Sequence, residues 1–144
     1  IKKRFNSLIK KLSHQDVLKI SNKNLQTIGI SFKKVEYIKN VYNHFSENKL
    51  NYNNYTDAEV TKELTKIKGV GKWTAEMFLI FILFRKNIFS NGDLALINSI
   101  KVNYNIIDLS NKKLDTLKKS WSPHKTTASL LLWKSIEEKK FYKN

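Results

Sequence analysis

Leu64-Thr-Lys-Ile67-Lys-Gly69-Val70-Gly71-Lys72-Trp73-Thr74-Ala75 is the stretch on which the fold of this chain turns. An apolar helix end runs into Gly-Val-Gly, and a second helix starts at once. Two glycines around one apolar residue permit a very tight turn with positive φ. Val70 can tuck under that turn as an anchor, and Ala75 lets two helices approach closely. Backbone N–H groups of the turn and of the next helix start then point outward together. Such a cluster binds anions, and a nucleic-acid backbone phosphate suits it. Lys68 and Lys72 flank the turn and add charge. A bare Gly-x-Gly between helices also reads as an ordinary helical corner.

Outward from this turn, the spacing predicts helices on both sides. The chain has one proline, Pro123, and four glycines, so long helices are favoured. Apolar residues step by three and four: Phe5, Leu8, Ile9 and Leu12; Val35, Ile38, Tyr42 and Phe45; Leu114, Leu117 and Trp121. Ser13 with Asp16 reads as a capping box for a short helix from His14 to Ile20. Ser31 can start a helix running to about Glu47. Thr56 with Glu59 is a second capping box, for a helix ending near Ile67. Asn48 to Tyr55 reads as a polar loop. Gly92 and Asp93 precede a helix from Leu94 to about Tyr104, Ser110 can cap the next, and a last helix is expected from Lys125 to Lys139. The sum is an all-α bundle of about eight to nine helices in a single domain, 1–144, with no convincing strand. Phe78, Ile80, Phe81, Leu83 and Phe84 read as buried core.

Composition narrows the chemistry. The chain has 144 residues and a net charge of +15, from 27 Lys and Arg against 12 Asp and Glu. Such an excess is not needed for folding and points to a polyanionic partner, nucleic acid before an acidic membrane surface. With no cysteine, disulfides, thiolate zinc sites, cysteine-ligated iron–sulfur clusters and a cysteine nucleophile are excluded. His14, His44 and His124 show no metal-ligand spacing. The longest apolar run, Met77 to Phe84, is too short to span a bilayer. No secretory signal opens the chain, so an intracellular, DNA-associated location is expected. Ile1 is first and Met77 is the one methionine, so an upstream segment is expected as part of a longer product.

Between Met77 and Ile107 the only acidic residue is Asp93, in Phe89-Ser-Asn-Gly-Asp-Leu-Ala-Leu. As a helix N-cap it would be held rigidly. Negative charge beside bound phosphate is costly, and chemistry can justify it: a carboxylate activates water and stabilises a positively charged sugar-like transition state.

A hairpin, a Gly-containing loop and an Asp at this distance resemble the helix-hairpin-helix DNA glycosylase superfamily. Trp121-Ser-Pro123-His-Lys-Thr-Thr-Ala128-Ser-Leu-Leu-Leu-Trp133 is similar to the ending of its alkylpurine branch, DNA-3-methyladenine glycosylase II. Leu25-Gln-Thr-Ile-Gly29, Lys34-Val-Glu-Tyr37-Ile38 and Gly71-Lys-Trp73-Thr74-Ala75-Glu76 match the same branch. The resemblance implies a base-excision repair hydrolase that flips an alkylated purine out of duplex DNA and cuts its N-glycosidic bond. It implies Asp93 as the catalytic carboxylate, Trp73, Met77 and Trp133 as pocket residues, and DNA contacts from Lys68, Gly69, Val70, Gly71, Lys72 and Thr74. Bifunctional members carry a Schiff-base Lys where this chain has Trp73, so hydrolysis without strand cleavage is expected. Lys72 lies one residue early, about 100° round the helix.

No cofactor is implied beyond a monovalent cation at the hairpin backbone, and the expected partner of a monomeric protein is double-stranded DNA with a damaged base. Members of the family carry a further segment before the region that starts here; it lines the pocket and fills the gap left by the flipped base, and its absence would weaken or abolish activity. Met77 departs from the Tyr usual in the alkylpurine enzymes and leaves the lesion range open, so a glycosylase for an oxidised or deaminated base is one alternative. A non-catalytic helix-hairpin-helix DNA-binding module, or a truncated relative, is another. Lys33, Lys34, Lys125 and Lys134 read either as phosphate contacts or as solvated surface charge.

Overall fold

The structure is a computed structural model and describes residues 1–138. The described residues form nine α-helices and one 3₁₀ turn, with no strand. They divide into two compact units, Ile1–Lys72 and a second that begins at Trp73.

The first unit holds α1 (Lys2–Ile9), α2 (His14–Lys19), α3 (Asn22–Gln26), α4 (Phe32–Glu47), a 3₁₀ turn (Tyr52–Asn54) and α5 (Asp57–Thr65). Local signals start most of these. Ser13 and Asp16 form a reciprocal capping box, as do Thr56 and Glu59, and the Ser31 hydroxyl accepts from the Lys34 amide. Each such cap contributes about 1 kcal/mol. Helices α2 and α3 pack on α4, and Val17, Leu25, Val35, Val60 and Leu64 are buried. The Asn-rich loop departs from expectation: it winds into the 3₁₀ turn and buries Tyr52, whose hydroxyl meets His44 Nε2 at 2.6 Å.

The second unit holds α6 (Lys72–Phe81, whose first residue closes the first unit), α7 (Leu94–Asn103), α8 (Asn111–Trp121) and α9 (Lys125–Glu137). The expected end of the last helix, Lys139, lies outside the described residues. Helix α9 packs on α7 and α8 around a cluster of Leu96, Ile100, Leu114 and Leu132. The Ser99 hydroxyl donates to the Leu132 carbonyl at 2.8 Å and pins α7 to α9.

The apolar run at 78–84 is buried only in part. Ile80 is in the core, but Phe81 is 50% and Phe84 77% exposed. Helix α6 ends at Phe81, and the Arg85 amide closes back on the Leu79 carbonyl at 2.9 Å. Phe84 sits in the left-handed region (φ 52°), so the run leaves the helical face that carries Ala75, Leu79 and Ile80 inward.

Candidate active site and anion-binding turn

In the second unit, the chain from 85 to 93 carries the candidate carboxylate, and both neighbouring helices fix it. Thr126 on α9 donates its hydroxyl to the Arg85 carbonyl (2.6 Å) and accepts from the Ile88 amide (3.0 Å). Its own amide bonds the Lys86 carbonyl at 3.0 Å. On the other side the Ser90 hydroxyl donates to the buried Glu76 carboxylate of α6. The Asp93 amide then bonds the Ser90 carbonyl at 3.2 Å. A loop held at this many points presents its last residue in one orientation.

Asp93 is the N-cap of α7, as its place before Leu94 predicts. One carboxylate oxygen, Oδ1, accepts from the Leu96 amide at 3.0 Å. The other, Oδ2, accepts from the Trp73 indole N–H at 2.9 Å. Only 8% of the residue is exposed. Burial pushes the carboxyl pKa up, while the Trp73 and Leu96 hydrogen bonds, with smaller help from the Trp133 indole and the Ala95 amide, pull it down. The net direction is below the usual carboxylate value. Asp93 is therefore a buried, permanently ionised group at neutral pH.

It opens onto a cleft of about 740 Å³. Trp73, Met77 and Phe81 reach it from one face of α6, four residues apart. Leu130, Trp133, Lys134 and Glu137 reach it from one face of α9, with Glu138 at the helix end. The sequence-predicted Trp73, Met77, Asp93 and Trp133 thus line one cavity. Trp73 is half exposed, at 51%, and stacking ligands can reach its ring. Phe81 stacks on Trp133 with ring centroids 6.0 Å apart. Phe81 lines the cleft instead of the core expected from its hydrophobicity; its place in the 73–77–81 row is the signal for this. Lys134 pairs with Glu138 at 3.5 Å.

In the first unit, the turn after α5 has its own supports. Gly69 takes φ +102°, and a Cβ there would fall inside the Tyr37 side chain. Gly71 differs from expectation: its φ is not positive, and a Cβ would meet nothing within 4 Å. Its backbone is open to the outside rather than required by the bend. Val70 is half-buried and its amide bonds the Ile67 carbonyl at 2.9 Å. Lys68 does not stand free beside the turn: its Nζ lies 2.7 Å from Glu36 Oε1. Asn40 donates to the Lys68 carbonyl at 3.0 Å. Lys72 and Thr74 are exposed at the start of α6. The α4 residues Glu36, Tyr37 and Asn40 lie about thirty positions upstream of the turn, where no local spacing pairs them with it. Lys33 lies over the Tyr37 ring, 5.9 Å from its centroid.

The geometry therefore pairs a fixed, ionised carboxylate with an aromatic cleft, on an all-α fold that carries a Gly-Val-Gly turn. The chain belongs to the helix-hairpin-helix DNA glycosylase superfamily. Its relatives there are DNA-3-methyladenine glycosylases. A crystal structure of the DNA-3-methyladenine glycosidase of Bacillus halodurans is 34% identical and superposes with a TM-score of 0.77, covering 93% of this chain and 64% of that one. A 3-methyladenine DNA glycosylase of Schizosaccharomyces pombe, solved in complex with abasic DNA, is 27% identical with a TM-score of 0.74, covering 87% of this chain and 63% of that one. The DNA-3-methyladenine glycosylase of Bacillus subtilis is 30% identical over 129 residues, 85% of this chain and 42% of that protein. The chain spans about half the length of the curated relatives it matches, from 42% to 51% for the first three. No family model matches it. No helix among the described residues is long and apolar enough to cross a membrane.

Proposed function

We propose that this chain carries the base-excising centre of a monofunctional DNA glycosylase for alkylated purines such as 3-methyladenine and 7-methylguanine. Alkylation at purine N3 or N7 gives the base a positive charge and weakens its bond to the sugar. In the proposed reaction the bond from C1′ to the base nitrogen breaks and the base leaves with the electron pair. A water oxygen bonds to C1′, and its proton passes to solvent. Asp93 stabilises the cationic sugar as it forms and orients the water. Trp73 and Trp133 offer aromatic faces on which a cationic base stacks. Trp73 stands where a Schiff-base lysine would be needed, so the product is an abasic site in an uncut strand. The turn at Gly69-Val70-Gly71 with Lys68, Lys72 and Thr74 contacts duplex backbone phosphates.

The observation that supports this most is the ionised Asp93 at the wall of an aromatic cleft. The test is base release from methylated duplex DNA by the chain and by Asp93→Asn. Asparagine keeps the helix cap but removes the charge, so release should fall by about 10²–10³. Undiminished release would remove Asp93 from the mechanism. DNA binding without release would mark a non-catalytic module. Met77 supports a second reading, since a thioether brings no π face. Release of an oxidised or deaminated base in preference to an alkylated one, from a panel of lesion-bearing oligonucleotides, would favour it.

A further inference from the structure

We propose that Glu36 is a built-in competitor for the phosphate at the Gly69–Gly71 turn, holding Lys68 until a nucleic-acid backbone displaces it. This rests on the DNA-binding reading above.

The turn is shaped by contacts that do not involve the Lys68 side chain. Tyr37 fills the space under Gly69, and Asn40 holds the Lys68 carbonyl at 3.0 Å. Glu36 therefore adds nothing the bend needs. Its carboxylate instead lies 2.7 Å from the ammonium of Lys68, the residue next to Gly69. Both partners are solvent-exposed, the lysine side chain at 71% and the glutamate at 47%, so water and ions can separate them. In a chain with 27 basic and 12 acidic residues, an acid next to a phosphate-binding turn opposes the general attraction. A polyanion brings several phosphates at once and can outbid a single exposed carboxylate for Lys68. A lone small anion gains only the local contact. The pair thus tilts the turn towards a strand and away from soluble phosphate.

The test is a two-by-two comparison of binding to an undamaged duplex oligonucleotide, using the wild-type chain, Glu36→Gln, Lys68→Gln and the double variant. Circular dichroism melts of each check that the fold is retained. Glu36→Gln should tighten binding roughly two- to fivefold when Lys68 is present. The same change in the Lys68→Gln background should do nothing. Lys68→Gln alone should reduce the slope of log affinity against log salt by about 0.9. An equal gain in both backgrounds would reduce Glu36 to one more charge in the overall field and overturn the proposal. No gain in either would overturn it too, while leaving duplex binding and glycosylase activity standing. If none of the four binds the duplex, the DNA-binding reading falls and takes this one with it.

Discussion

At the residue scale, the charge on Asp93 is the property to test. Its folded pKa lies below the ordinary aspartate value. The stabilisation from this carboxylate is fully present above pH of about 4 and is lost as pH falls through the lower folded value. Urea unfolding of wild type and Asp93→Asn across acidic and neutral pH should show a stability gap that closes on acidification; a gap that widens would reverse the assigned direction. Trp73→Phe keeps an aromatic face and deletes the N–H that bonds Oδ2. The Asp93 pKa should rise, and the acid limb of the base-release profile should move to higher pH with it. If Trp73 only stacks on the base, the limb stays where it was.

At the element scale, the two glycines of the turn should behave differently. Gly69→Ala meets both a positive φ and the Tyr37 side chain, and should cost about 2 kcal/mol or more. Gly71→Ala has room within its own unit and should change stability by less than about 0.5 kcal/mol, yet weaken duplex binding if the turn makes the proposed phosphate contact. Thermal melts beside binding titrations separate the two. Thr126→Val removes the hydroxyl that both donates to Arg85 and accepts from Ile88, and should cost about 1–3 kcal/mol while slowing base release through the displaced Asp93 loop. Local features were the legible ones. Ser13 with Asp16, Thr56 with Glu59, Ser31 and Ser110 each start a helix through a bond three residues long. Helix α3 has five residues and no full apolar period, so it left no trace in the pattern. The pairing of Asn40 with Lys68 spans 28 positions and depends on how α4 lies against the turn. Phe84 lies past the backbone reversal that ends α6 and Phe81 on the helix face that carries Trp73 and Met77, and hydrophobicity alone signals neither.

At the scale of the whole molecule, the charge of +15 makes any duplex affinity strongly dependent on ionic strength. Each neutralised phosphate should add about 0.9 to the slope of log affinity against log salt. A flat dependence would mean that the excess of lysine serves something other than a nucleic-acid backbone. The candidate site was legible through motif resemblance for Trp73, Met77 and Trp133, and through the capping position of a lone acid for Asp93; all four line one cleft. Glu137, Glu138 and Leu130 join the cleft only through the placement of α9.

Met77 has one more property: its thioether is the sole sulfur atom in the 144 residues, and it sits in the cleft wall. Peroxide therefore has a single soft target, and the sulfoxide it forms is polar where the pocket is greasy. Catalytic loss and sulfoxide content, followed by intact mass, should rise together in time. Methionine sulfoxide reductase should restore both, and Met77→Leu should be indifferent to the oxidant.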